Sequence, residues 1–147
     1  MDINDDSDFK AALSDFSPAQ QRMVAARFAE NVLELTKDAR IKRAIDTAKL
    51  ANISDEELGT AFQFAKAASV DSYTQCGHEC DWNKQAGHFV AEAALASIKP
   101  ADGNNPAWDA AMHARMARTC ASIAAGNGTH NSEDAAQYRI LAEYLNS

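Results

Sequence analysis

Ser54-Asp-Glu-Glu-Leu-Gly-Thr-Ala-Phe-Gln-Phe-Ala-Lys-Ala-Ala68 is the stretch that sets the fold class. Ser54 with Glu57 three residues on is a capping box, in which each side chain satisfies a backbone N–H of the other end of the turn. Behind it Leu58, Ala61, Phe62, Ala65 and Ala68 recur at helical spacing, with Tyr73 as an extension. Phe64 lies off that stripe, so this helix is expected to be apolar on two sides and to occupy the middle of a bundle.

The same signals repeat outward. Phe9, Ala12, Leu13 and Phe16 give a turn or two of helix. Ser17-Pro18-Ala-Gln20 supplies an N-cap, a first-position Pro and a third-position Gln, and Met23, Val24, Phe28, Val32 and Leu35 follow, predicting a helix over about 18–35. Thr36 or Asp38 can cap the next, which carries Ile41, Ala44, Ile45, Ala48 and Leu50. Its opening residues Lys37, Arg40, Lys42 and Arg43 put positive charge where the helix dipole disfavours it. These cations read as a solvated face or as a patch that meets carboxylates elsewhere.

Gly77 predicts a kink or break. Beyond it Trp82, Ala86, Phe89, Val90, Ala93 and Ala96 form a helix that stops at Ile98-Lys99-Pro100, and residues 100–105 read as a loop. Asn105-Pro106 opens a helix bearing Trp108, Ala111, Met112, Met116, Thr119 and Ile123, closed by Gly126-Asn-Gly128. Asn131 or Ser132 caps the last one, with Ala135, Tyr138, Ile140, Leu141 and Tyr144. No period-two run marks a strand. The expectation is an all-α, single-domain antiparallel helical bundle of about six or seven helices over 9–147, preceded by a flexible acidic segment, 1–8.

Composition agrees. Of 147 residues 31 are Ala, the best helix former, against only 6 Gly and 3 Pro. Net charge is −7 and the pI near 5.0. Nucleic acids and anionic membranes are poor partners for such a chain, since binding phosphate needs an excess of Lys and Arg. A basic protein partner suits it, because opposite fields speed encounter. No apolar run approaches the ~18 residues of a membrane span. The first residues lack the basic and apolar regions of an export signal. Three cysteines, Cys76, Cys80 and Cys120, read as free thiols of a cytoplasmic protein.

Chemistry concentrates in Cys76-Gly-His78-Glu-Cys80-Asp81. Cys76, His78, Cys80 and Asp81 are the candidate metal ligands, for zinc, which takes four N, S or O donors in a tetrahedron. On a straight helix residues two apart point to opposite sides, so the cluster needs a bend at Gly77. Cys120 is another possible fourth ligand. His88, eight residues past Cys80, lies about 12 Å away along a helix and cannot share the ion. The plain alternative has Cys76 and Cys80 packed as small buried hydrophobes. A reversible Cys76–Cys80 disulfide is a further one. His113, Met116 and Cys120 would suit Cu(I) but fit core packing better. Catalysis has little support: a thiol–imidazole pair would have to come from Cys80 or Cys120 with His88 or His113, and no phosphate loop or hydrolase motif is present.

The segments Asp38-Ala-Arg40-Ile-Lys-Arg43-Ala-Ile-Asp-Thr-Ala48, Ile53-Ser-Asp-Glu-Glu-Leu58 and Gly87-His88-Phe-Val-Ala-Glu-Ala-Ala94 together resemble a family of immunity proteins, small all-helical bacterial proteins encoded with polymorphic toxins. The similarity spans about residues 35–97. It implies a protein that binds and neutralises a cognate toxin. The first expectation is therefore a non-enzymatic acidic helical binding protein of immunity or inhibitor type. The alternatives are a small metal- or redox-responsive protein using Cys76, His78 and Cys80, and a structural homodimeric helical domain.

Overall fold

A computed structural model describes residues 2–76, 81–99 and 105–147. The chain is an all-α helical bundle. In order come α1 (Asp6–Ser14), α2 (Pro18–Glu30), a 3₁₀ turn (Leu33–Leu35), α3 (Ala39–Ala48), α4 (Asp55–Cys76), α5 (Trp82–Ile98), α6 (Pro106–Ala124) and α7 (Glu133–Leu145). Among the described residues there is no strand. No described helix is long and apolar enough to cross a membrane.

The capping residues act as the sequence suggests. Glu57 N donates to Ser54 Oγ at 3.1 Å, and Ser17 and Gln20 form a full capping box on α2. Asp38, Asp81 and Asn105 accept from the first turns of α3, α5 and α6. For α7 the acceptor is Asn131, whose Oδ1 takes Glu133 N at 3.1 Å. Gly126 ends α6 at φ 81°, with its N–H on Ile123 O and the Asn127 N–H on Ser122 O, the two bonds of a Schellman cap.

Three expectations change. The helix predicted over 18–35 stops at Glu30. Asn31 is held from outside the helix, its amide on the Glu133 carboxylate at 2.7 Å and its carbonyl on Arg118 at 3.0 Å, and the chain then tightens into the 3₁₀ turn. The first helix begins at Asp6, inside the segment expected to be flexible. Asp5 caps it, Ile3 is buried, and Asp6 meets Arg115 and Tyr138.

The third change concerns the centre of the bundle. It is α5, which packs most extensively on α6 and α4 and also meets α2 and α3, whereas α4 lies against α3 and α5. Alanines explain the choice. Ala86, Ala91, Ala93 and Ala94 are buried on several sides of α5, and a methyl group lets a neighbouring backbone approach closely wherever it points. Phe64, expected to mark a second buried face of α4, lies half-buried under the Arg43 guanidinium, 4.6 Å from its ring centre.

Buried side chains form two clusters. One joins α2 to α6 and is built mostly from alanine, with Val90, Ile41 and Ile45. The other gathers Phe9, Leu13, Val24, Phe28 and Leu141, with Phe16, Trp108, Tyr138 and Tyr144 around them.

Candidate binding groove

Helix α4 is described to Cys76 and α5 begins at Trp82 with Asp81 as its cap, while the kink expected at Gly77 lies outside the described residues. The 3₁₀ turn leads into α3 beside them. A groove of about 410 Å3 opens between residues 35–41, 71–75 of α4 and 83–88 of α5. Gly87 helps to make it narrow. A Cβ there would sit 3.6 Å from Leu35 O and 3.9 Å from Thr36 Oγ1, in ordinary contact with the opposite wall.

Arg40 organises one wall. Its Nη2 and Nε bond to the Asp38 carboxylate at 2.7 and 3.0 Å, and its Nη1 bonds to Asp71 at 2.8 Å. Asp38 caps the same helix by accepting the Arg40 backbone N–H at 2.9 Å. Hydrogen bonding to Arg40 holds the Asp38 carboxyl below its ordinary range, although partial burial opposes this. In turn the two carboxylates hold Arg40 charged. Of the basic residues opening α3, Arg40 alone meets a carboxylate from another helix among the described residues; Lys42 pairs with Asp46 on α3 itself and Arg43 lies over Phe64.

The other wall is a polar relay. His88 Nδ1 lies 2.8 Å from Ser72 Oγ, and its Nε2 lies 3.6 Å from the Glu92 carboxylate. Glu92 also accepts from Ser69. Ser72 Oγ is 2.9 Å from Ser69 O. The Ser72–His88 contact can run either way: Ser72 donates to a bare Nδ1, or an Nδ1–H donates to Ser72 while its hydroxyl turns to the Ser69 carbonyl. Tyr73 packs on the His88 ring at 5.9 Å while 73% exposed.

Beyond Glu92 stands His113 of α6. Its ring stacks on Phe89, centroids 6.3 Å apart, and its Nδ1 is buried without a hydrogen-bond partner among the described residues. Burial pushes its pKa below the ordinary 6.5, with Glu92 and Asp109 opposing. Met112, Met116 and Cys120, the rest of the soft-ligand stripe, line an apolar cleft of about 480 Å3 with Trp82 and Phe89. Burial pushes the Cys120 thiol up, which makes it a poor nucleophile and a reluctant ligand.

Of the candidate metal ligands, the Cys76 side chain, His78 and Cys80 lie outside the described residues, so the zinc and disulfide readings do too. Asp81 is described and caps α5, accepting Lys84 N at 2.8 Å. Among the described residues no three His, Cys, Asp or Glu side chains are placed to hold a metal ion. Asp38, Arg40, Gly87 and His88, which carry the family resemblance, line one groove. Asp71 and Ser72, which line the groove, and Ser69, which bonds to Glu92 behind it, were missed by sequence reading. Their only signal was a polar run at helical spacing on α4, opposite a His88–Glu92 pair four residues apart on α5. Against known proteins, no family model matches the chain, and no curated protein or solved structure matches it either.

Proposed function

We propose that this chain is a non-enzymatic binding protein of immunity or inhibitor type, which captures a basic protein partner in the cytoplasm. One observation carries the reading: two of the three segments that resemble immunity proteins, 38–48 and 87–94, meet at a single groove. A shared purpose for Asp38, Arg40 and His88 explains why polar groups at that spacing converge. The surroundings support protein contact. Tyr73 is exposed against the His88 ring, and Trp82 and Met116, also exposed, line a separate apolar cleft between α5 and α6. Tyr, Trp and Met are the residue types enriched at protein interfaces. A net charge of −7 adds long-range attraction for a basic surface.

The test is co-production with the polypeptide encoded by the adjacent gene. That polypeptide is expected to arrest growth alone and to be neutralised by this chain. Binding measured by calorimetry should weaken as salt rises, and Tyr73→Ala combined with His88→Ala should abolish protection while leaving the helical circular-dichroism signal unchanged. A neighbour that is harmless alone and does not bind would overturn the reading.

A further inference from the structure

We propose that the groove between the α3 and α5 starts is an oxyanion site, taking a carboxylate or phosphoryl group between Lys37 and Lys84. Both lysines line it, and neither has an ion-pair partner among the described residues. They come from separate elements, the segment that opens α3 and the first turn of α5, which face each other across the groove. The third cation, Arg40, is held by Asp38 and Asp71. Counting these five formal charges, the groove keeps one net positive charge on a chain whose overall charge is −7. It is a positive island on an acidic surface.

Its polar lining adds a further donor: the exposed Asn83 amide has no partner among the described residues. Charge-assisted bonds from ammonium groups to an anionic oxygen are the strong class of hydrogen bond. Such a site discriminates. A uniformly basic surface is drawn to the acidic chain but leaves Lys37 and Lys84 facing like charge, whereas one that offers an acidic group at its centre satisfies both. The site stands independently of the immunity reading, since a free phosphoryl compound presents the same oxygens.

Titration of the full chain with inorganic phosphate and, separately, with N-acetylglutamate at constant ionic strength tests it, read by backbone amide NMR shifts. Saturable shifts confined to residues 36–41, 71–75 and 83–88 are expected. Lys37→Ala with Lys84→Ala should weaken binding by roughly tenfold or more, the scale of one or two charge-assisted contacts. Lys66→Ala with Lys99→Ala, the same charge change away from the groove, should not. Both lysine pairs are exposed, so folding is not at stake. Tighter phosphate binding assigns a phosphoryl ligand and tighter N-acetylglutamate binding a carboxylate. Non-saturable shifts, or equal weakening in both double variants, would overturn the proposal, because a diffuse field and not a built site would then account for the effect.

Discussion

The two buried clusters pack by opposite means. Around α1 and α7 the chain uses large rings: Phe9 and Phe28 meet at 5.4 Å, Phe9 and Tyr138 at 5.5 Å, Phe16 and Tyr144 at 5.4 Å. Rings fill wide gaps, so short outer helices with little mutual contact are still anchored. Around α5 the chain uses methyl groups, and the gain comes from close backbone approach instead of side-chain volume. The candidate groove sits at the edge of the alanine cluster. Where helices pack through methyls, polar side chains at their ends are brought within bonding distance of one another, as Ser69, Ser72, His88 and Glu92 are.

The aromatic region should respond most strongly to loss of volume. Phe28→Ala is expected to destabilise by about 4 kcal/mol, since the ring is fully buried and its rigid neighbours cannot collapse into the space. Chemical denaturation measures this, and a loss below about 1 kcal/mol would mean that the aromatic cluster is loosely packed. The alanine region should respond to added volume. Ala94→Leu is expected to cost about 2 kcal/mol by forcing α5 away from its neighbours. A stabilised variant would show that methyl packing there leaves voids, and the contrast between the regions would fail.

The smallest expected effect is on pH dependence. His113 stays neutral in the fold because burial lowers its pKa, so the unfolded chain binds its proton first. Its contribution is therefore complete above the ordinary pKa near 6.5 and lost as pH falls through the lowered value. Asp38 and Asp6, lowered by Arg40 and Arg115, act in the same direction at more acid pH, below the ordinary carboxylate value of 3.8. Thermal melts from pH 7 to 5 should show the first decline in the parent chain and little of it in His113→Gln. An unchanged slope in that variant would remove His113 as its cause.

Polar pins complete the difference between regions. Gln137 is fully buried, accepting from Arg115 at 2.8 Å and donating to Ala111 O at 2.9 Å. Glu133, 3% exposed, accepts from Arg118 and Asn31. These tie α7 to α6 and to the end of α2, which is why α2 ends before Val32 despite an unbroken apolar pattern. Periodicity reports which side of a residue is apolar. It does not report a side chain from a hundred residues away that takes up the backbone where a helix stops.

Caps, stops and spacing determined the all-α class and most helix starts from the sequence alone, because those signals act within four residues of chain. The basic opening of α3 was visible as an anomaly, but Asp71 as its partner was not, since the pairing depends on how α3 lies across α4. That α5 and not α4 stands at the centre was likewise decided in three dimensions: alanine scores weakly as a core residue in a sequence, yet on several faces of one helix it admits the closest neighbours. The groove follows from that arrangement, and its membership was fixed only when residues 35–41, the end of α4 and the start of α5 came together.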